Sequence, residues 1–138
     1  MSGMRAARAT LIAAIVANVL GWVLPAISEQ RGYEAFVFAL SPLWDRDMQR
    51  EAFPLLVFIV ASALTNVLFI VLVVTFVLRN APAKAVLWGA AAAALLNLYW
   101  PILLEADRAR LQAGYFIWVS SFAVLALSAF LALRSAPR

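Results

Sequence analysis

Asp45-Arg46-Asp47 and Glu51 offer the oxygen ligands that a divalent cation takes. Arg46 and Arg50 stand close enough to neutralise these acids, and general acid–base work needs its acid and base held together in a dry cleft. The cluster therefore reads as a self-paired surface segment. The chain has neither Cys nor His, which removes disulfides, thiol nucleophiles, imidazole bases and the usual transition-metal ligands. No catalytic residue, metal or cofactor is assigned.

A second group of polar residues is more informative because of its surroundings. Asn18, Ser62, Thr65, Asn66, Asn97, Ser120 and Ser121 are set within long apolar runs that hold no charge. An ionisable group inside a membrane is the usual mark of a proton-coupled transporter, so its absence argues against that class. Neutral side chains such as these hydrogen-bond between helices, contributing about 0.6 kcal/mol each on average in one well-studied bundle. The expectation is a polar intramembrane layer formed by Asn18, Thr65, Asn66, Asn97, Ser120 and Ser121, joined by Ser62. It serves either as interhelical glue or as the wall of a pocket.

The elements that hold these residues follow from hydropathy. With 66% hydrophobic and 13% charged residues, the chain is too apolar for a soluble domain. From residue 52 to 78 there is no charge at all, and Leu, Val, Ile and Phe occur all round the helical wheel. A span needs roughly 20 apolar residues. Four runs qualify, at about 9–27, 54–78, 85–104 and 111–133. The basic start of the first run and the small pair Ala26 and Ser28 also have the shape of a cleaved signal, but the run is read as a span. The predicted fold is an all-α integral membrane protein, a single domain folded as an antiparallel bundle of four transmembrane helices.

Residues 28–53 make the longest segment outside the spans. Within it Tyr33, Phe36, Val37, Leu40 and Trp44 recur at helical spacing, and period-two alternation fits less well, so an amphipathic helix lying at the outer interface is expected. Small residues four apart, Ala13-Ala17-Gly21 in the first span and Gly89-Ala93 in the third, would let backbones approach closely. The bulky second span reads as more lipid-facing.

Charge gives the orientation. With the termini inside, the cytoplasmic set is Arg5, Arg8, Arg79, Lys84, Arg134 and Arg138, with no acid, whereas all seven acids fall outside. The basic excess thus has a topological cause and implies no nucleic-acid partner. Ten Arg to one Lys and abundant Ala fit a GC-rich bacterial gene, so the cytoplasmic membrane of a bacterium is the expected location.

Of eight Trp and Tyr residues, all but Trp88 fall near the outer interface. Besides anchoring, such a concentration suits docking, and Tyr33, Phe36, Val37, Leu40, Trp44, Trp100 and Tyr115 are the expected partner-binding residues. The leading expectation is a non-enzymatic accessory or scaffolding protein that uses its outer surface, with the bilayer and another membrane protein or a second copy as partners. The alternative is a small lipid- or solute-binding carrier acting as an oligomer around the polar layer. Whether that layer encloses space separates the two.

Overall fold

Each apolar run becomes a helix, as it must where no water is present to satisfy backbone N–H and C=O groups. The computed structural model describes residues 2–45, 53–78, 83–103 and 110–135. Arg46, Asp47, Arg50 and Glu51 of the charged cluster lie outside these residues, as do Arg79, Glu105, Asp107, Arg108 and Arg138. In chain order come helix α1 (Ser2–Val23), strands β1 (Pro25–Ile27) and β2 (Gln30–Arg31), helix α2 (Gly32–Leu40), a 3-10 turn (Ser41–Leu43), then α3 (Phe53–Val77), α4 (Ala83–Asn97), the short α5 (Trp100–Leu103) and α6 (Ala113–Ser135).

Four segments are long and apolar enough to cross a membrane: Gly3–Val23, Phe53–Val77, Ala83–Ile102 and Ala113–Ser135. The third carries the break between α4 and α5 inside it. The protein is an all-α bundle of four such helices with one further short helix, a four-span membrane architecture whose exposed apolar surface implies contact with the bilayer. Gly3 lies beside Ser135, Ala7 beside Ser128, Asn18 beside Ser121 and Gly21 beside Trp118, so α1 and α6 run antiparallel along their whole length. Leu72 against Gly89 and Ser62 against Asn97 set α3 antiparallel to α4 in the same way.

The stripe by which α1 meets α6 differs from the expected one. Ala13 is exposed and Ala17 half-buried, whereas Ala7, Ala14 and Gly21 are buried. A seven-residue repeat keeps one seam facing a neighbouring helix, and Ala13 lies a full residue's rotation off that seam. On α4 the buried face is Val86, Ala90, Ala93, Ala94 and Asn97, with Gly89 at its edge. The second span is exposed along Leu64, Val67, Leu68, Val71 and Val74, yet its other side buries Ser62, Ala63, Thr65, Asn66, Phe69 and Leu72.

The first span also ends earlier than expected. Pro25 cannot extend the helix, and residues 25–27 pair antiparallel with Gln30–Arg31 around a tight turn in which Ser28 takes φ 53°. This ribbon is sewn to the chain entering α6: Ser28 N–H donates to the Arg110 carbonyl at 2.6 Å and Gln112 N–H to that of Ala26 at 2.9 Å. Helix α2 starts where the Glu34 carboxylate reaches back to accept from Arg31 N–H at 2.7 Å. Its first residue is a glycine by necessity, because a Cβ at Gly32 would collide with the Gly21 carbonyl and come within 2.8 Å of Trp22 Cα. The start of α2 is therefore pressed onto the end of α1.

Candidate functional site: an aromatic cavity above a polar layer

The polar layer is assembled by all four long helices. Asn97, fully buried at the end of α4, accepts from Ser62 Oγ at 2.6 Å and donates to Thr65 Oγ1 at 3.0 Å and to the Ala93 carbonyl at 2.8 Å. Its own backbone carbonyl, one of those a helix end leaves without a partner, accepts from the Tyr115 hydroxyl at 2.6 Å. Asn66 Oδ1 accepts two indole N–H groups, from Trp22 at 3.0 Å and Trp118 at 2.8 Å. Asn18 donates to Ser121 Oγ at 3.1 Å, which in turn donates to the Trp118 carbonyl at 2.6 Å. Trp100 completes the set by donating to Ser62 Oγ at 2.8 Å.

Asn18, Thr65, Asn66, Asn97 and Ser121 are thus brought into one layer with Ser62. Ser120 is not part of it. Adjacent helical residues point about 100° apart, and with Ser121 buried Ser120 is turned to the outside.

What sequence reasoning missed is the part played by the rings. Trp22, Trp100, Trp118 and Tyr115 were read as interface anchors or docking residues, but each aims its polar atom into the bundle. Spacing carried a signal for this within α1 and α6: Trp22 follows Asn18 by four residues and Trp118 precedes Ser121 by three. Residues three or four apart share a helix face, so an indole one turn from a buried amide or hydroxyl faces the same interior.

The expected docking residues divide accordingly. Tyr115 is only 3% exposed and so lies off the outer surface, while Trp100 is half-buried against Phe58. Phe36 and Leu40 are half-buried as well, Phe36 resting on the Trp22 ring at 5.3 Å between centroids. Tyr33, Val37 and Trp44 are exposed, at 42%, 55% and 61%, around a shallow hollow on the far flank of α2. Tyr33 to Trp44 therefore make no single face: the helix turns one flank inward and the other outward.

Between α2 and the polar layer the structure leaves a cavity of about 230 Å³. Its floor is Ser62, Ala63 and Asn66 of α3, its walls include Trp22, Trp100 and Trp118, and its roof is α2. The roof explains the space. Helix α2 presents Ala35 and Ala39 to the interior beside Phe36, and two methyl groups cannot fill what the surrounding rings hold open. The cavity is partly enclosed, with the exposed residues Phe38 and Gln30 on its border. None of the described lining residues is charged.

Fold and site together describe a small four-helix membrane protein with an aromatic-walled cavity beneath a short helix at one end of the bundle. No family model, curated protein or solved structure matches the chain.

Proposed function

We propose that the protein binds an apolar, membrane-soluble molecule in the cavity under α2. The observation that carries this reading is the cavity itself. At about 230 Å³ it is larger than the roughly 150 Å³ apolar cavity known to take up benzene. It also has the usual composition of a ligand pocket, mostly apolar and aromatic with a few converging polar groups. A packed centre would have favoured scaffolding; a partly enclosed cavity favours binding. Because the cavity lies within one chain, the reading requires no oligomer.

The test uses n-decanol carrying a bromine at its chain end, a quencher of tryptophan emission, with the protein in nanodiscs. The parent protein is expected to show a saturable component of quenching above the background from bilayer partition. Ala39→Phe and Ala63→Phe, which fill the cavity from roof and floor, should each remove that component. Quenching with no saturable part in the folded parent overturns the proposal.

The accessory-protein reading keeps one observation in its favour, the exposure of Tyr33 and Val37 on the far flank of α2 and of Trp44 just beyond the 3-10 turn. Aromatic residues at the centre of an interface commonly lose about 2 kcal/mol or more on truncation, so Trp44→Ala would reduce co-purification of a bound partner if this flank docks one. The proposed location is a bacterial cytoplasmic membrane with both termini inside. It rests on Arg5, Arg8, Lys84 and Arg134 gathering at one end of the bundle while Glu29, Glu34 and Asp45 lie at the other. A cysteine at Glu29 should react with a membrane-impermeant maleimide in intact spheroplasts and one at Ser135 should not; the reverse pattern inverts the orientation.

A further inference from the structure

Resting on the reading of the cavity as a ligand site, we propose that it receives the hydrocarbon end of a single lipid chain, tail first, with the polar head left outside. The inference comes from what the walls have already done with their polar atoms. The lone N–H of each indole is engaged, Trp22 and Trp118 with Asn66 Oδ1 and Trp100 with Ser62 Oγ. The Tyr115 hydroxyl is held by the Asn97 carbonyl, the Ser62 hydroxyl by Asn97 Oδ1, and the Asn66 amide by the Ala63 carbonyl.

A head group entering this space would surrender its hydration and find hydrogen-bonding atoms already paired with one another. Burying a polar group without a partner is costly, and a charged one far more so. Aromatic walls also suit a cage for a quaternary ammonium, but among the described residues the lining holds no carboxylate to balance a desolvated cation. Hydrocarbon meets no such penalty. It needs only van der Waals contact, which the rings and the alanine methyls supply.

The border of the cavity fits the same orientation. Phe38 lines the cavity and is 54% exposed, so an apolar edge of the cavity meets the surroundings there. Gln30, at another part of the border, is exposed and offers a neutral amide beside which a trailing head group would rest. Both edges suit a chain that slides in from the lipid with its head trailing.

The experiment is competition against the bromine-tagged decanol in nanodiscs, at equal bilayer concentrations of four ten-carbon probes: n-decanol, decanoate, decyltrimethylammonium and the decanediol with a hydroxyl at each end. Tail-first binding predicts that the three single-headed probes compete within about threefold of one another, since their heads stay outside. The diol, which has no apolar end to insert, should be weaker by about tenfold or more. A split of more than about tenfold among the three heads, or a diol equal to n-decanol, overturns the inference while leaving the site in place. Loss of the saturable signal itself counts against the ligand site, not the orientation, so the two failures are distinct.

Discussion

The two ends of the bundle solve the same problem in opposite ways. Toward the termini the helices meet through small and aliphatic side chains: Ala14, Val86, Ala90, Leu125 and Ala129 are fully buried, with Phe122 among them and Phe69 edge-on to it at 5.3 Å. A buried hydroxyl there, that of Ser128, donates across to the Ala7 carbonyl at 2.7 Å. Toward α2 the helices are joined instead by hydrogen bonds among Asn66, Asn97, Ser62 and four ring residues. Lipid tails are as apolar as a leucine, so burial alone does not hold helices together in a membrane, and close packing or polar contact must do it. Small residues close the gap between helices. Large rings tied by their polar atoms instead frame the cavity beneath α2.

Three substitutions probe this contrast, in order of expected effect. The seam of α1 and α6 passes from one regime to the other at Gly21, where a Cβ would come within 2.5 Å of Trp118 Cβ and 2.8 Å of its Cα. Gly21→Val should therefore force the two helices apart at a cost of about 3 kcal/mol or more, read as a fall in the detergent unfolding temperature. Retention of the parent value would mean that the seam is looser than described.

Asn97→Leu removes the node of the hydrogen-bonded end and leaves Ser62 and Thr65 without their shared partner. The expected loss is about 1 to 3 kcal/mol, reported by chemical denaturation, with a change in Trp100 emission because its acceptor Ser62 is freed. A silent variant would show that ring packing, not polar contact, carries this end. Smallest is Trp44→Ala, at the exposed residue that ends the 3-10 turn after α2: stability should stay within about 0.5 kcal/mol. A larger fall would place Trp44 inside the packed structure.

The four spans were legible because hydropathy acts over whole segments, and Ala52 to Leu78 could have been nothing else. The polar layer was legible too, since Asn18, Asn66 and Asn97 stand out against apolar neighbours. Three things were not. The ribbon at residues 25–31 is too short for a period to register, and its bonds to Arg110 and Gln112 are contacts between segments far apart in sequence. Ser120 and Ser121 look equivalent until the rotation of α6 is known. Above all, aromatic residues near a span end read equally well as interfacial anchors; the spacing of Trp22 from Asn18 and of Trp118 from Ser121 points inward, but packing decides it for them and for Tyr115. The cavity depends on Ala35 and Ala39 facing those rings, a relation between two segments that neither contains alone.

The account turns on there being space at one end and none at the other, and a single comparison addresses it: the unfolding temperatures of Ala63→Phe and Ala90→Phe. Both positions are buried alanines on spanning helices, Ala63 on the cavity floor and Ala90 in the packed end. Ala90→Phe must overpack a filled interior and should cost about 3 kcal/mol. Ala63→Phe places its ring in the existing cavity and should stay within about 0.5 kcal/mol of the parent, since no neighbour has to move. Equal losses at the two positions would contradict the account, because they would show that the α2 end is as tightly packed as the other.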